Sequence, residues 1–299
     1  MPDSEFTLPS FAKINLHLRV LGKRDDGYHE ICTVFQTISL CDELSFAPSK
    51  DLRLTCSHAG IPTAGDNLIV AAAELLRTRY SINKGARIHL EKRIPSPGGL
   101  GGGSSNAAIS LIGLSRLWKI EVEKNELFRL AAELGSDVPF FLLGGTALGT
   151  GRGEVLEKLA DIDEPSLLIV TPDISVSTRN AFNGLRRGSL TNEDSNHILQ
   201  NCRFEVGALD MRNSVLINDF EESVFAIHPV IKRVKQTLLD LGAIQAAMSG
   251  SGASIFAVFD NKETRQATLK ALESESSWRK FAVAAISRSE YRKALEIAY

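Results

Sequence analysis

From Phe11 to Val20 apolar and polar residues take turns, with Ile14, Leu16, Leu18 and Val20 set against Lys13, Asn15, His17 and Arg19. A period of two is that of a strand with one buried face, so a half-buried strand is expected there. A polar turn, GKRDDGYHE, follows, and then the strand-like runs ICTVFQTISL, LSFAP and LRLTCS. The period changes at LIVAAAELLRTRY. Asp66-Asn67 in front of it supplies a capping side chain, so a helix is expected. ARIHLEKRI reads as another strand, AAISLIGLSRLW and KNELFRLAAELG as helices, and SDVPFFLLGG as a short helix with Pro139 near its start. TALGTGRGEVLEKL reads as turn and strand. The polar run ADIDEP then suggests a boundary, with domains expected at 1–162 and 163–299. Beyond it come a strand (SLLIVTP), a helix (VSTRNAFNGL), a polar loop (RRGSLTNEDSNHILQN), and a helix over VFAIHPVIKRVKQTLLDLG. AIQAAMSGSGASIFAVFD reads as strand, turn and strand, and ETRQATLKALES as a last helix. Strands and helices without regular alternation favour an α+β architecture with mixed sheets.

Composition removes several function classes. Of 299 residues, 43% are hydrophobic and 23% charged, an ordinary globular mix. Lys and Arg number 34 against 36 Asp and Glu, a net charge of −2. That is the wrong balance for general nucleic-acid binding but leaves room for a small anion in a local pocket. The four cysteines form no CxxC pair and read as buried or free thiols, and the six histidines show no metal-ligand spacing. No apolar run approaches the roughly 18 residues of a membrane span, and the opening residues lack a charged-then-apolar leader. A cytoplasmic protein with neither membrane nor nucleic-acid partner is expected.

The segment Gly98-Gly99-Leu100-Gly101-Gly102-Gly103-Ser104-Ser105 lies between a strand and a helix. Without side chains the backbone can approach a ligand closely, and a helix beginning near Ser104–Asn106 would aim unpaired N–H groups at it. A polyphosphate is the natural occupant; a tight turn or linker is the bland alternative. Ser104 and Ser105 could cap the helix or donate to phosphate. Taken alone, Asp137, just before Val-Pro, reads as a helix cap, and Lys13 as a solvated lysine on the polar face of its strand.

Pro95–Ala108, Ala12–Leu16 and Met248–Ala253 together resemble, in order and over nearly the whole chain, three motifs of the GHMP kinase superfamily, which includes galactokinase and the homoserine and mevalonate kinases. The blocks KRDDGYHE, GLGGGSSNAA, LGSDVPFFL and GRGE are most similar to a branch on the non-mevalonate route to isoprenoid precursors, whose acceptor alcohol carries a cytidine diphosphate. Pro97 stands where that branch more often has a small residue. The resemblance implies a two-domain fold with an N-terminal ATP-binding domain, and a cleft in which ATP, with Mg2+, phosphorylates the acceptor's 2-hydroxyl. It implies catalytic roles for Lys13 and Asp137. ATP contacts are implied along Pro95, Ser96, Pro97, Gly98, Gly99, Leu100, Gly101, Gly102, Gly103, Ser104 and Ser105, with Lys92 and Asn67 at the adenosine. For the acceptor it implies Tyr28 and Phe182 stacking on cytosine, His29 at the base edge, Asn15 at the polyol or phosphates, and Thr178 orienting Asp137. Gly250, Ser251 and Gly252 would bring backbone against the substrates, with Ser105 a candidate contact for Mg2+. A monomer or homodimer is expected, and the rival readings are a homoserine or mevalonate type of kinase or a non-catalytic sensor.

Overall fold

The computed structural model describes residues 5–162, 166–185, 200 and 211–297. Nearly all of the polar loop expected over 186–201, and the last residues of the expected boundary, lie outside them. The architecture is α+β, with two sheets. The larger has β1 (Phe6–Lys23), β2 (His29–Ser49), β3 (Leu52–Cys56), β4 (Gly85–Glu91), β5 (Thr146–Thr150), β6 (Val155–Lys158) and β8 (Ile217–Asn218), in the order β3-β4-β2-β1-β8 with β5 joined to β2 and β6. The smaller is antiparallel, β11-β7-β10-β9, built from β7 (Ser166–Pro172), β9 (Gln245–Met248), β10 (Ile255–Phe259) and β11 (Trp278–Val283).

Three apolar cores hold the sheets together. Helices α1 (Leu68–Tyr80), α2 (Gly102–Trp118) and α3 (Lys124–Leu134) cover one face of the larger sheet. Alternation along β7 feeds the other two cores. Leu167 and Ile169 meet Ile14, Leu16 and Val34 between the sheets, while Leu168 and Val170 pack against Val224, Ile231 and Val234. Strand β1 runs through all three cores, so the half-buried strand expected from alternation is a correction. Lys13, Asn15 and His17 are buried as well, because their face is hydrogen-bonded within a cleft instead of facing solvent. No helix among the described residues is long and apolar enough to cross a membrane.

Other boundaries differ for identifiable reasons. β2 is one continuous strand where two were expected. The helix expected over residues 224–242 breaks at Pro229, which opens the helix Pro229–Asp240 after the shorter Glu221–Ile227; proline lacks the N–H that would continue the first. The last strand-like piece of TALGTGRGEVLEKL is half of a hairpin, β5–β6. The thiols also need correcting, since Cys41 and Cys56 are free but Cys32 is disulfide-bonded.

Candidate active site

Two register shifts in the β1–β2 pairing, at Phe11/Ala12 and Asn15/His17, bracket Lys13 and Asn15. Such irregularities re-aim side chains, and these two send both residues into a cavity of about 380 Å³. Lys13, 3% exposed, is held by three groups. Its Nζ donates to Asn15 Oδ1 at 2.6 Å, lies 3.4 Å from Asp137 Oδ2, and stands 5.5 Å from the Phe35 ring centre. Asn15 is fixed in turn by donating to Thr33 Oγ1 at 2.7 Å. A buried ammonium needs partners, and both of its polar contacts lie on the cavity wall. Asp137 keeps a third of its side chain exposed. Its helix-cap alternative fails, because the short helix α4 (Phe140–Leu143) starts at Pro139 without any side-chain cap.

Opposite them the glycine-rich loop lies along β1, its Leu100 carbonyl accepting from Lys13 N at 3.0 Å. Here the helix start needs correcting. α2 begins at Gly102, with Gly101 as a left-handed N-cap (φ +69°) and no capping side chain. The helix's first N–H groups are therefore left for a ligand, and neither serine caps it. A Cβ on Gly101 would sit 2.8 Å from Phe141 Cζ and 3.0 Å from Lys13 Cγ, so only glycine lets the loop press this close to the lysine. Pro97, Gly99, Gly101 and Ser104 line the cavity; Ser105 does not. Ser105 is fully buried and accepts from Ser10 Oγ at 2.8 Å, which removes it as a cleft contact.

The second glycine turn closes the same cavity. Ser249 Oγ donates to Gly99 O at 2.9 Å, and a Cβ on Gly250 would lie 3.4 Å from Lys13 Nζ. Gly250, Ser251 and Gly252 all line the wall. Thr178, at the start of helix α5 (Thr178–Gly184), exchanges a 2.9 Å hydrogen bond with Ser251 Oγ rather than with Asp137, correcting its expected partner. The aromatic arrangement differs too. His29 stacks on Phe182 with ring centres 4.9 Å apart. Tyr28 is 56% exposed and lies under the Arg152 guanidinium at 4.8 Å. Phe182 is thus stacked by His29, and Tyr28 by Arg152. Burial, and then the charge of Lys23, hold the His29 imidazole below its ordinary pKa, so it is neutral at pH 7.

A second cavity, of about 400 Å³, lies on the other side of the loop entry, with Ser96 and Lys92 in its wall. Lys92 Nζ donates to fully buried Asp42 Oδ2 at 2.7 Å and to Ile94 O at 2.7 Å. Burial holds the Lys92 pKa below its ordinary value, against the opposing pull of Asp42. Asn67 does not line this cavity. Its amide caps α1 from Oδ1 and donates to Pro62 O from Nδ2, so both ends are occupied. Pro95, Gly98, Gly102 and Gly103 lie between, along the loop, and line neither cavity.

The GHMP kinases N terminal domain matches residues 67–145, and the GHMP kinases C terminal domain residues 198–277. A 4-diphosphocytidyl-2-C-methyl-D-erythritol kinase of Solibacter usitatus is 41% identical over 293 residues, covering 95% of this chain and 90% of the relative. Another with that name, from Caldanaerobacter subterraneus subsp. tengcongensis, is 38% identical over 86% of this chain and 88% of its own. The chain belongs to the 4-diphosphocytidyl-2-C-methyl-D-erythritol kinases, a branch of the GHMP kinases. A crystal structure of a 4-(cytidine 5'-diphospho)-2C-methyl-D-erythritol kinase superposes with a TM-score of 0.75 at 34% identity, covering 94% of this chain and 99% of that one. A homoserine kinase from Cytophaga hutchinsonii shares the fold, with a TM-score of 0.70 at 21% identity over 95% and 96% of the two chains.

As a GHMP kinase the chain is a phosphotransferase, and several groups that shape its cleft carry no mark in the sequence. Asp42 accepts from the backbone of Arg93 and Ile94, both at 2.7 Å, and so fixes the entry to the glycine loop. Asn218 donates to Met248 O at 2.6 Å and Gly250 O at 2.8 Å, pinning the second glycine turn. The GRGE turn holds a local ion pair, Arg152 with Glu154 at 3.3 Å, yet Arg152 also lines the main cavity. Only its place in GRGE, one of the blocks shared with the kinase branch, could have pointed to it.

Proposed function

We propose that this GHMP kinase transfers the γ-phosphate of ATP to the 2-hydroxyl of 4-diphosphocytidyl-2-C-methyl-D-erythritol, giving the 2-phosphate and ADP. The carrying observation is the Lys13–Asp137 pair, 3.4 Å apart beside a glycine loop that leads into an uncapped helix. Phosphoryl transfer asks for positioning and charge neutralisation more than for covalent help. The adenosine occupies the cavity walled by Lys92 and Ser96, and the triphosphate follows the loop over the first N–H groups of α2 to Ser104. Asp137 takes the proton of the acceptor hydroxyl, for which its exposed third gives access. Lys13 offsets the charge that develops on the transferred group, and Asn15 holds Lys13 in place and faces the acceptor. Neutral His29 can both donate and accept, which suits the edge of a pyrimidine. Phe182 supplies a stacking surface, with Tyr28 closing over the base once it binds.

Among the described residues no three acidic, histidine or cysteine side chains gather to hold a metal. The hard oxygen donors on the cavity wall, Ser104 and Asp137, suit an ion that arrives with the nucleotide. Mg2+ so carried would neutralise the β- and γ-phosphates. A cytoplasmic location belongs to the same proposal, since ATP and a soluble sugar-nucleotide-like acceptor meet there.

The test is ADP release with three acceptors, namely 4-diphosphocytidyl-2-C-methyl-D-erythritol, homoserine and mevalonate. Turnover of the first alone is expected; turnover of mevalonate or homoserine alone would overturn the assignment.

A further inference from the structure

The main cavity has two cations in its wall, Lys13 and Arg152, and one anion, Asp137. Lys13 is committed to Asn15 and Asp137. The proposed acceptor brings a diphosphate, and ATP a triphosphate, into the same space. The remaining cation is Arg152, paired with Glu154 at one edge only. Its backbone is fixed from both sides. The preceding Gly151 donates to Glu30 Oε1 at 2.8 Å and accepts from Ile31 N at 2.8 Å, and Arg152 N donates to Glu154 Oε2 at 2.7 Å. Its guanidinium lies over Tyr28, 4.8 Å from the ring centre. Only Nε is engaged, with Glu154 Oε1 at 3.3 Å. Among the described residues the two terminal nitrogens have no hydrogen-bond partner, and the side chain is 30% exposed at the cavity. A stacked, pre-ordered guanidinium with two free N–H edges is the geometry that grips a phosphate bidentately.

The turn also sets Arg152 between the Asp137 side of the cavity and Tyr28. The neighbouring Gly153 backs onto Asp137, whose Oδ1 would lie 3.7 Å from a Cβ there. Arg152 therefore lies one residue from Gly153 on the side that leads to Asp137, and against Tyr28 on the other. We propose that Arg152 is the acceptor-specificity residue, binding the diphosphate through its terminal nitrogens. This rests on the acceptor assigned under the proposed function.

The test compares R152Q and R152K with the wild type, reading KM for 4-diphosphocytidyl-2-C-methyl-D-erythritol, KM for ATP, kcat, and inhibition by cytidine diphosphate and by cytidine. In R152Q the acceptor KM is expected to rise about ten- to hundredfold, as for loss of a charge-assisted fork. The ATP KM stays within about twofold, and most of the loss falls on KM rather than kcat. R152K, keeping charge without the planar fork, falls between. Inhibition by cytidine diphosphate weakens by the same factor as the acceptor while that by cytidine is little changed. An unchanged acceptor KM in R152Q would overturn the proposal, and so would equal weakening of both inhibitors, since Arg152 would then act only by supporting Tyr28. If the wild type does not use this acceptor, the reading of the function fails instead, and that result is visible before any variant is made.

Discussion

At the scale of single residues, the contrast between Lys13 and Asp137 decides which one can be tested cleanly. Lys13 is buried and is the sole cation beside Asn15 Oδ1 and Asp137 among the described residues. Removing it would strand buried acceptors as well as any chemistry, and a folding defect could pass for a catalytic one. Asp137 is a third exposed and caps no helix, so its loss asks little of the fold. Asp137→Asn keeps the shape and removes the base. It is expected to lower kcat by about 10²- to 10⁴-fold while nucleotide affinity, followed by calorimetry, stays within about twofold. A kcat within threefold of wild type would reduce Asp137 to a member of its turn. Both residues stand out in the sequence only through the motifs around them; alone, a strand lysine is ordinarily solvated and an Asp before Val-Pro is ordinarily a cap. What makes them a pair, 124 positions apart, is the register shifts on β1 and the return of the chain after α3.

At the scale of elements, the glycine loop separates stability from binding. Gly101 is fixed by its positive φ and by Phe141 and Lys13. Gly103 is different, with an ordinary helical conformation, an exposed position in the first turn of α2, and nothing nearer than Leu68 Cδ1 at 4.0 Å from a Cβ. Alanine is the better helix former by up to about 1 kcal/mol. Gly103→Ala is therefore expected to leave the free protein unchanged or slightly more stable in thermal melting, yet to weaken ATP binding at least tenfold, because the proposed path of the triphosphate crosses the first turn of α2, where Gly103 sits. Equal ATP affinity in the variant would mean the triphosphate takes another path. This loop is readable in the chain because glycines packed so densely between a strand and a helix weaken both elements unless a close backbone approach requires them. The position of the helix start is not readable, since Ser104 and Ser105 look like caps and only the left-handed turn at Gly101 shows that they are not. Asp42 and Asn218 are unreadable for a separate reason. Their partners lie 50 residues away in one case and 30 and 32 in the other, and a lone Asp or Asn in a strand carries no mark of them.

At the scale of the whole molecule, the division expected at 162/163 meets a chain that crosses back. β8, from the second half, pairs in parallel with His17–Leu18 of β1. The final helix, Arg288–Leu295, drops Tyr291 and Leu295 into the core beneath α2 and α3, with the Tyr291 hydroxyl donating to Phe141 O and its ring filling the space a Cβ on Gly144 would need. Ile14, Leu16 and Val34 are covered by Leu167, Ile169, Phe256 and Val258 from the smaller sheet. Each large apolar side chain returned to water costs about 1.5–3 kcal/mol, and domains have only about 5–15 kcal/mol in all. Uncovering three such residues while deleting Tyr291 and Leu295 consumes that margin. A fragment of residues 1–162 is thus expected to show no cooperative transition in circular-dichroism melting, although it holds Lys13, Asp137 and the whole glycine loop. A sharp transition in the isolated fragment would instead make the first half a self-standing unit. In that case the cleft would be a surface onto which the second half docks, and ATP should still protect the fragment against unfolding. In the structure the cleft exists because both halves wall it: Gly250 and Ser251 face Lys13 across the cavity, and they are held there by Asn218, which rides on the same short strand that joins β1.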